Sequence, residues 1–257
     1  MTLPGRLDRS AFRLAMGALG LTLLFGVWEG SIRLGLLPER LLPLPSRLPF
    51  AWAREIRGGY WQQAVLDSLS HYGLGLALGS LLGAVAGILA GTLAWLDALL
   101  GGIVRLLRPI PGLAWVPFAI IWFGLGPAGA VFIIATSVFW INFYAAHAAV
   151  QSVDRNLIEV AEAFGHGDFL GRLRKIVLPA SAPGLLAGFR TGLGQAWMSV
   201  VAAELFGVPG IGARMMQASS LLATDLVLIY MLTMALLYAV TDSVFVLLRR
   251  RILAWQL

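Results

Sequence analysis

Cysteine is absent from the 257 residues, which excludes a disulfide framework and thiolate chemistry. Lysine is nearly absent too: Lys175 stands alone and every other basic side chain is arginine. Lys175 follows Arg174 inside an expected helix, not a glycine-rich turn. A Walker-type phosphate loop is therefore missing, and the chain cannot hydrolyse ATP in that way. The three histidines, His71, His147 and His166, lie on separate segments without metal-ligand spacing, so no metal site is expected. A hydrolase nucleophile is lacking as well, since Ser80, preceded by Gly79, has only the distant His71 or His147 for a base. Charge itself is scarce. Only 12% of residues are Asp, Glu, Lys or Arg, against roughly 25% in an average soluble domain, and no long stretch is polar enough to be such a domain.

What the chain has instead is apolar length. Hydrophobic residues make up 59% of the sequence, and mean hydropathy is +0.83. A helical span takes about 20 apolar residues. On that measure the sequence predicts an all-α polytopic membrane protein of about six spans: Phe12 to Ile32, Leu69 to Leu93, Leu113 to Phe123 with its flanks, Ala130 to Val150, Pro183 to Leu205, and Leu226 to Leu248. No small-residue cleavage site follows the first apolar run, Leu14 to Trp28, so it reads as a retained anchor. The expected division is an anchor with an outer connector over 1–68, and a core over 69–257.

Arginine in the short loops orients the spans. With both termini in the cytoplasm, the inside carries Arg6, Arg9, Arg13, Arg105, Arg108, Arg155, Arg172, Arg174, Lys175 and Arg249 to Arg251. The outside carries Arg33, Arg40, Arg47, Arg54, Arg57 and Arg214. The net charge of +6 thus follows topology and forms no nucleic-acid patch. The outer segment Leu36 to Pro49 is proline-rich and reads as a semi-rigid connector. Phe50 to Arg57 then reads as a short interfacial helix anchored by Trp52. Most other tryptophans, Trp28, Trp61, Trp95, Trp115, Trp122 and Trp255 among them, fit interfacial belts. In the second span Gly75, Gly79, Gly83, Gly87 and Gly91 recur every fourth residue, one row down one helix face. Such a row lets another helix approach backbone to backbone, for packing or for sliding.

One stretch is built for water. Asp154 to Pro179 reads DRNLIEVAEAFGHGDFLGRLRKIVLP, with two short amphipathic helices in it. Asp154 is the expected cap of the first, whose apolar face is Leu157, Ile158, Ala161 and Phe164. Gly165 and Gly167 break it. Asp168 caps the second, with Phe169, Leu170, Leu173, Ile176 and Val177 on its apolar side, and Pro179 is expected to end it. Two such helices beside a membrane suit insertion into a partner's groove.

Glu159-Val160-Ala161, Gly165 and Ile176-Val177-Leu178-Pro179 resemble the cytoplasmic coupling loop of bacterial ABC importer permeases. Val160 stands where alanine is commoner, and the interval from Gly165 to Ile176 is one residue longer than the pattern. The segments Leu107 to Pro117, Ile121 to Gly126, and Gly194-Gln195-Ala196-Trp197 with Val201 to Leu205 resemble the nitrate, sulfonate and taurine branch of that family. The resemblance runs from about Leu44 to the C-terminus. It implies a type I importer permease fold in a bacterial inner membrane. It implies an ABC ATPase subunit dimer, a second permease copy (a homodimer being the expected form), and an extracytoplasmic solute-binding protein. ATP and magnesium would be held by the ATPase, with no cofactor in this chain. The solute implied is small and anionic, of aliphatic sulfonate, taurine or nitrate type; a thiamine precursor or other cyclic compound is the alternative. The coupling residues carried over are Glu159, Ala161, Phe164, Gly165, Phe169, Leu173, Ile176, Leu178 and Pro179, with Glu159 an ion-pair candidate toward the ATPase.

Polar residues inside spans are costly, and so are candidates for the path. They are Asn142, Tyr144, Gln195, Ser199 and Glu204. Gln195 and Ser199 share a helix face at i, i+4, and Glu204 sits near the outer end of its span. Hydrogen bonding between helices is the competing use for each. Arg190 reads as a structural or snorkelling side chain. A stand-alone secondary transporter or channel remains the rival class, although neither inverted repeats nor a buried ionisable cluster is visible.

Overall fold

The computed structural model describes residues 6–107, 109–164 and 168–253. Arg108, Gly165, His166, Gly167 and Trp255 lie outside the described residues, as do the side chains of Arg6, Arg9, Arg13, Arg155 and Ala161. Eleven α-helices follow one another among the described residues. They are α1 (Arg6–Arg33), α2 (Leu48–Arg57), α3 (Tyr60–Thr92), α4 (Ala94–Leu107), α5 (Val116–Phe123), α6 (Pro127–Gln151), α7 (Arg155–Ala163), α8 (Phe169–Arg172), α9 (Leu178–Glu204), α10 (Ile211–Ser220) and α11 (Thr224–Ile252). Five helical stretches are long and apolar enough to cross a membrane. The pair Ala94–Leu107 and Gly112–Phe123, bent by 87°, makes a sixth span if counted as one. The third expected span is therefore broken. Pro109 and Pro111, between the two helices, withhold the amide hydrogens that a straight helix needs, and α4 and α10 are helices that hydropathy did not reveal.

The fifth span also starts earlier than expected, and Pro179 does not end the helix before it. One helical stretch runs from Phe169 to Glu204. Leu173–Val177 form a π-turn within it, in which the Leu178 amide donates to the Leu173 carbonyl, five residues back. Pro179 then occupies the first turn of α9. The extra residue in the turn accommodates the proline ring, and the chain continues.

The fold divides into two compact units. Met1–Trp61 with Met215–Met231 form the first. Its connector is tied by the Glu29 carboxylate, which accepts from the Ser46 hydroxyl at 2.9 Å and from Arg33 Nε at 2.8 Å. Leu48, Ala51 and Ile229 form its small buried core, with Trp28 against it. α2 covers the short helix expected over Phe50 to Arg57; Pro49 lies in its first turn, and Gly59 beyond its end has positive φ.

Gln62–Arg214 with Leu232–Leu257 form the second unit. Its core is Tyr72, Leu76, Ile134, Val138, Leu193, Ala196, Trp197, Val200 and Phe245. Tyr72 stacks on Trp197 with ring centroids 4.4 Å apart. Lipid tails are as apolar as leucine, so close van der Waals packing has to hold these helices together. The glycine row provides it. A Cβ at Gly75 would lie 2.6 Å from the Ile134 Cβ, and one at Gly91 would lie 2.9 Å from the Val150 Cβ. Between them, side chains at Gly79, Gly83 and Gly87 would fall on the carbonyls of Ala135, Phe139 and Phe143. The row is thus filled, within one chain, by α6. A second row, Gly184, Gly188 and Gly192 on α9, closes on Ala149, Ala145 and Asn142. α6 is held between two glycine-lined helices.

Candidate functional site

α7 begins where the Asp154 carboxylate accepts from the Asn156 amide at 2.9 Å, as a cap does. α8 begins in the same way: Asp168 accepts from the Gly171 amide at 2.8 Å. α7 packs against α8 and the π-turn, forming a short elbow ahead of α9. The elbow leaves its apolar side open. Phe164 is 79% exposed and Leu170 is 71% exposed, and Leu157, Val160 and Phe169 are exposed as well. On α7 the open face is Leu157, Val160 and Phe164, spaced at i, i+3 and i+7; Ile158 turns half inward. Glu159 is exposed on the opposite side of the same helix. Leu173, Ile176 and Leu178 are half-buried, and Pro179 is exposed. An isolated water-facing elbow has no reason to present these side chains, so the face suits burial against another protein.

The far end of the same helical stretch is closed. Glu204 is fully buried (0% exposed). Its carboxylate accepts from the Ser68 hydroxyl, which lies 2.8 and 2.9 Å from the two oxygens. The Gly212 amide donates to it at 2.9 Å, and His71 Nδ1 lies 3.1 Å away. The Ser68 oxygen in turn accepts from the Ile211 amide at 2.9 Å. Ile211 and Gly212 open α10, where unpaired amide hydrogens and the helix dipole both favour a negative charge. Gly210, at φ 150°, lets the backbone pass directly over the carboxylate, where a Cβ would overlap it. A buried carboxyl thus ties the end of α9 to α3 and to the first turn of α10. The serine and histidine that complete it lie 136 and 133 residues away in sequence. Nothing short of the fold points to them.

The other polar candidates also have partners. Asn142 is buried and donates to the Val138 carbonyl at 3.1 Å and to the Ser80 hydroxyl at 3.3 Å. Tyr144 donates to the Val104 carbonyl at 3.1 Å. Gln195 and Ser199 meet at 3.5 Å, as their spacing predicts. Gln195 and Ser199 thus share one place, while Asn142, Tyr144 and Glu204 each sit elsewhere in hydrogen bonds of their own. Two further groups find partners, Asp97 and Asp242, that the sequence did not single out. His147 Nε2 lies 2.8 Å from Asp97 between α6 and α4. Arg190 makes two bonds to Asp242, at 2.8 and 2.9 Å, between α9 and α11.

Residues 79–254 match the family described as the binding-protein-dependent transport system inner membrane component. Among curated proteins, the chain is 32% identical over 232 residues to SsuC of Escherichia coli (strain K12), named as an aliphatic sulfonates transport permease protein. That match covers 90% of this chain and 88% of SsuC. It is 33% identical over 253 residues to the riboflavin transport system permease protein RibX of Chloroflexus aurantiacus, covering 96% of this chain and 94% of RibX. Among solved structures, a chain of the MetNI methionine ABC transporter in an inward-facing conformation superposes with a TM-score of 0.59. Identity there is 19%, over 74% of this chain and 98% of that one.

Proposed function

This chain belongs to the binding-protein-dependent inner-membrane component family and is an ABC importer permease subunit, and from that premise we propose that the solute it passes is a small organic anion of the aliphatic sulfonate class. It is a multi-pass inner-membrane protein and a transport subunit, not an enzyme; its family works with an ATPase and a solute-binding protein. The sulfonate reading rests on the likeness to SsuC over nine-tenths of the chain. Taurine, an aminosulfonate, falls within that class, and nitrate is the smaller anion of the same charge. The likeness to RibX over nearly the whole chain supports a second reading, a cyclic compound such as a flavin.

The observation that carries the transport mechanism is the open apolar elbow at the start of one continuous helix. α7 and α8 are assigned as the coupling element. Phe164, Phe169 and Leu173 enter the ATPase groove, Glu159 pairs with a base at its rim, and Ile176, Leu178 and Pro179 shape the elbow behind them. ATP and magnesium are held by the ATPase dimer. Its closure moves the elbow, and the stretch Phe169–Glu204, about 54 Å long at 1.5 Å per residue, carries the displacement across the membrane. Two copies of this chain form the path, with both termini cytoplasmic. The test is uptake by proteoliposomes containing the permease, its ATPase and its binding protein. Taurine and ethanesulfonate should enter in an ATP-dependent way and riboflavin should not; riboflavin uptake without sulfonate uptake would replace the first reading with the second.

A further inference from the structure

We propose that Arg190 and Asp242 form a charge-compensated oxyanion site on the wall of the translocation path, the point at which a sulfonate headgroup is handed along. The inference rests on the anion reading above. Its starting point is depth. Measured from the cytoplasmic-side ends expected for these spans, Pro183 and Leu248, Arg190 lies about 10 Å along α9 and Asp242 about 9 Å along α11. Both ends of the pair therefore lie about a third of the way into a hydrocarbon layer about 30 Å thick. Arg190 is nevertheless 46% exposed, and Asp242 is 21% exposed.

A charged pair at that depth is not left facing lipid tails; such residues face a bundle interior or a water-filled cavity. Snorkelling does not resolve the placement. Arg190 is held through Nε and Nη2 on both oxygens of Asp242, and an aspartate is too short to reach an interface from there. The surrounding face agrees. Beside Arg190, α9 exposes Ala187 and Thr191 and half-exposes Gly194, and α11 brings Tyr238 to within 3.6 Å of where a Gly194 Cβ would sit. These are small or polar groups, with the exposed Met198 one turn beyond Gly194. The outward surface of α1, by contrast, carries Leu19, Leu21, Leu23, Leu24 and Phe25.

The chemistry then selects the ligand. A guanidinium has five N–H donors in a planar fork. The two bonds to Asp242 use Nε–H and one Nη2–H, which leaves both Nη1 hydrogens and the second Nη2 hydrogen for an incoming oxyanion. Asp242 offsets the positive charge, so the anion is attracted without being trapped, as a conducting path requires.

The native chain has no cysteine, so Thr191→Cys supplies a single thiol on this face. The assembled transporter carrying it is treated with two water-borne methanethiosulfonate reagents, one bearing a sulfonate and one a quaternary ammonium. The sulfonate reagent should react faster, relative to each reagent's rate with free thiol, and Arg190→Gln should reduce that preference about tenfold, as expected of a focused local charge. Taurine should protect the thiol. Failure of both reagents to reach the introduced thiol, or a preference unchanged by Arg190→Gln, overturns the proposal. Transport provides the second measurement. The exchanged pair, Arg190→Asp with Asp242→Arg, keeps an ion pair between α9 and α11. It should co-purify with the ATPase yet raise the KM for taurine at least about tenfold; normal taurine uptake by the exchanged pair makes the contact merely structural and overturns the site. Labelling needs no substrate, so the oxyanion site is tested even if wild-type uptake shows that the solute is not a sulfonate.

Discussion

Replacing Glu204 with alanine removes the acceptor shared by the Ser68 hydroxyl, the Gly212 amide and His71 Nδ1, all of them shut away from water. A buried donor left without its partner costs about 1–3 kcal/mol. Three donors and the cavity left by the side chain bring the loss to about 4–6 kcal/mol, a large part of the roughly 5–15 kcal/mol that holds a typical domain folded. At about 2–4 °C per kcal/mol for a chain of this size, the detergent-purified protein should lose about 10–20 °C in its unfolding midpoint. Glu204→Gln keeps the shape and one acceptor oxygen but turns an amide group toward the donors, and should lose about 2 kcal/mol. Ser68→Ala should cost about as much, because it strips the Ile211 amide of its acceptor while removing a donor from the carboxylate. The Ser68→Ala, Glu204→Gln pair should cost less than the two singles together, by at least about 0.5 kcal/mol, since both act on one network. The assay is thermal unfolding followed by size-exclusion recovery. A midpoint within about 3 °C of wild type for Glu204→Ala, roughly 1 kcal/mol on the same scale, would show that the carboxylate is not the tie described.

The glycine seam makes a sharper steric prediction. Gly83→Ala places a methyl group on the Phe139 carbonyl and should sharply lower the yield of monodisperse protein, whereas Gly73→Ala, with nothing within 4 Å, should leave the yield unchanged. Leu170→Asp puts a charge on the open elbow face and should abolish co-purification with the ATPase while leaving membrane insertion intact, as membrane fractionation can check. Leu173→Asp should insert and assemble but lose stimulation of ATP hydrolysis by loaded binding protein, and normal stimulation would discredit its coupling role. Asp168→Ala should cost the α8 cap about 1 kcal/mol, and Asp168→Asn almost nothing; hydrogen exchange at the Gly171 amide reads both.

Spans and elbow were legible in the sequence because each is a one-dimensional pattern. Apolar length marked the long helices, the four-residue glycine period marked the face that α6 fills, and Asp154 and Asp168 sat where caps belong. What escaped was whatever depends on two distant segments at once. α9's own glycines, Gly184, Gly188 and Gly192, are diluted by neighbours and became a seam only when set against α6. Glu204 reads as an outer-end carboxylate until Ser68, His71 and the first turn of α10 close over it. Arg190 reads as a structural or snorkelling side chain, and its partner Asp242, 52 residues away, appears only in the fold. Pro179 read as a helix end because proline removes an i to i−4 bond; a π-turn, which no residue pattern announces, carries the helix past it.

The decisive measurement uses the chain's lack of cysteine once more. A single cysteine at Leu170, on the exposed face of the elbow, is treated with a short thiol-reactive cross-linker in membranes containing the whole transporter. The account predicts a covalent adduct with the ATPase subunit whose yield changes on trapping with ATP, and no labelling by an impermeant reagent added from the periplasmic side. Periplasmic labelling, or no adduct to the ATPase in any nucleotide state, would contradict it.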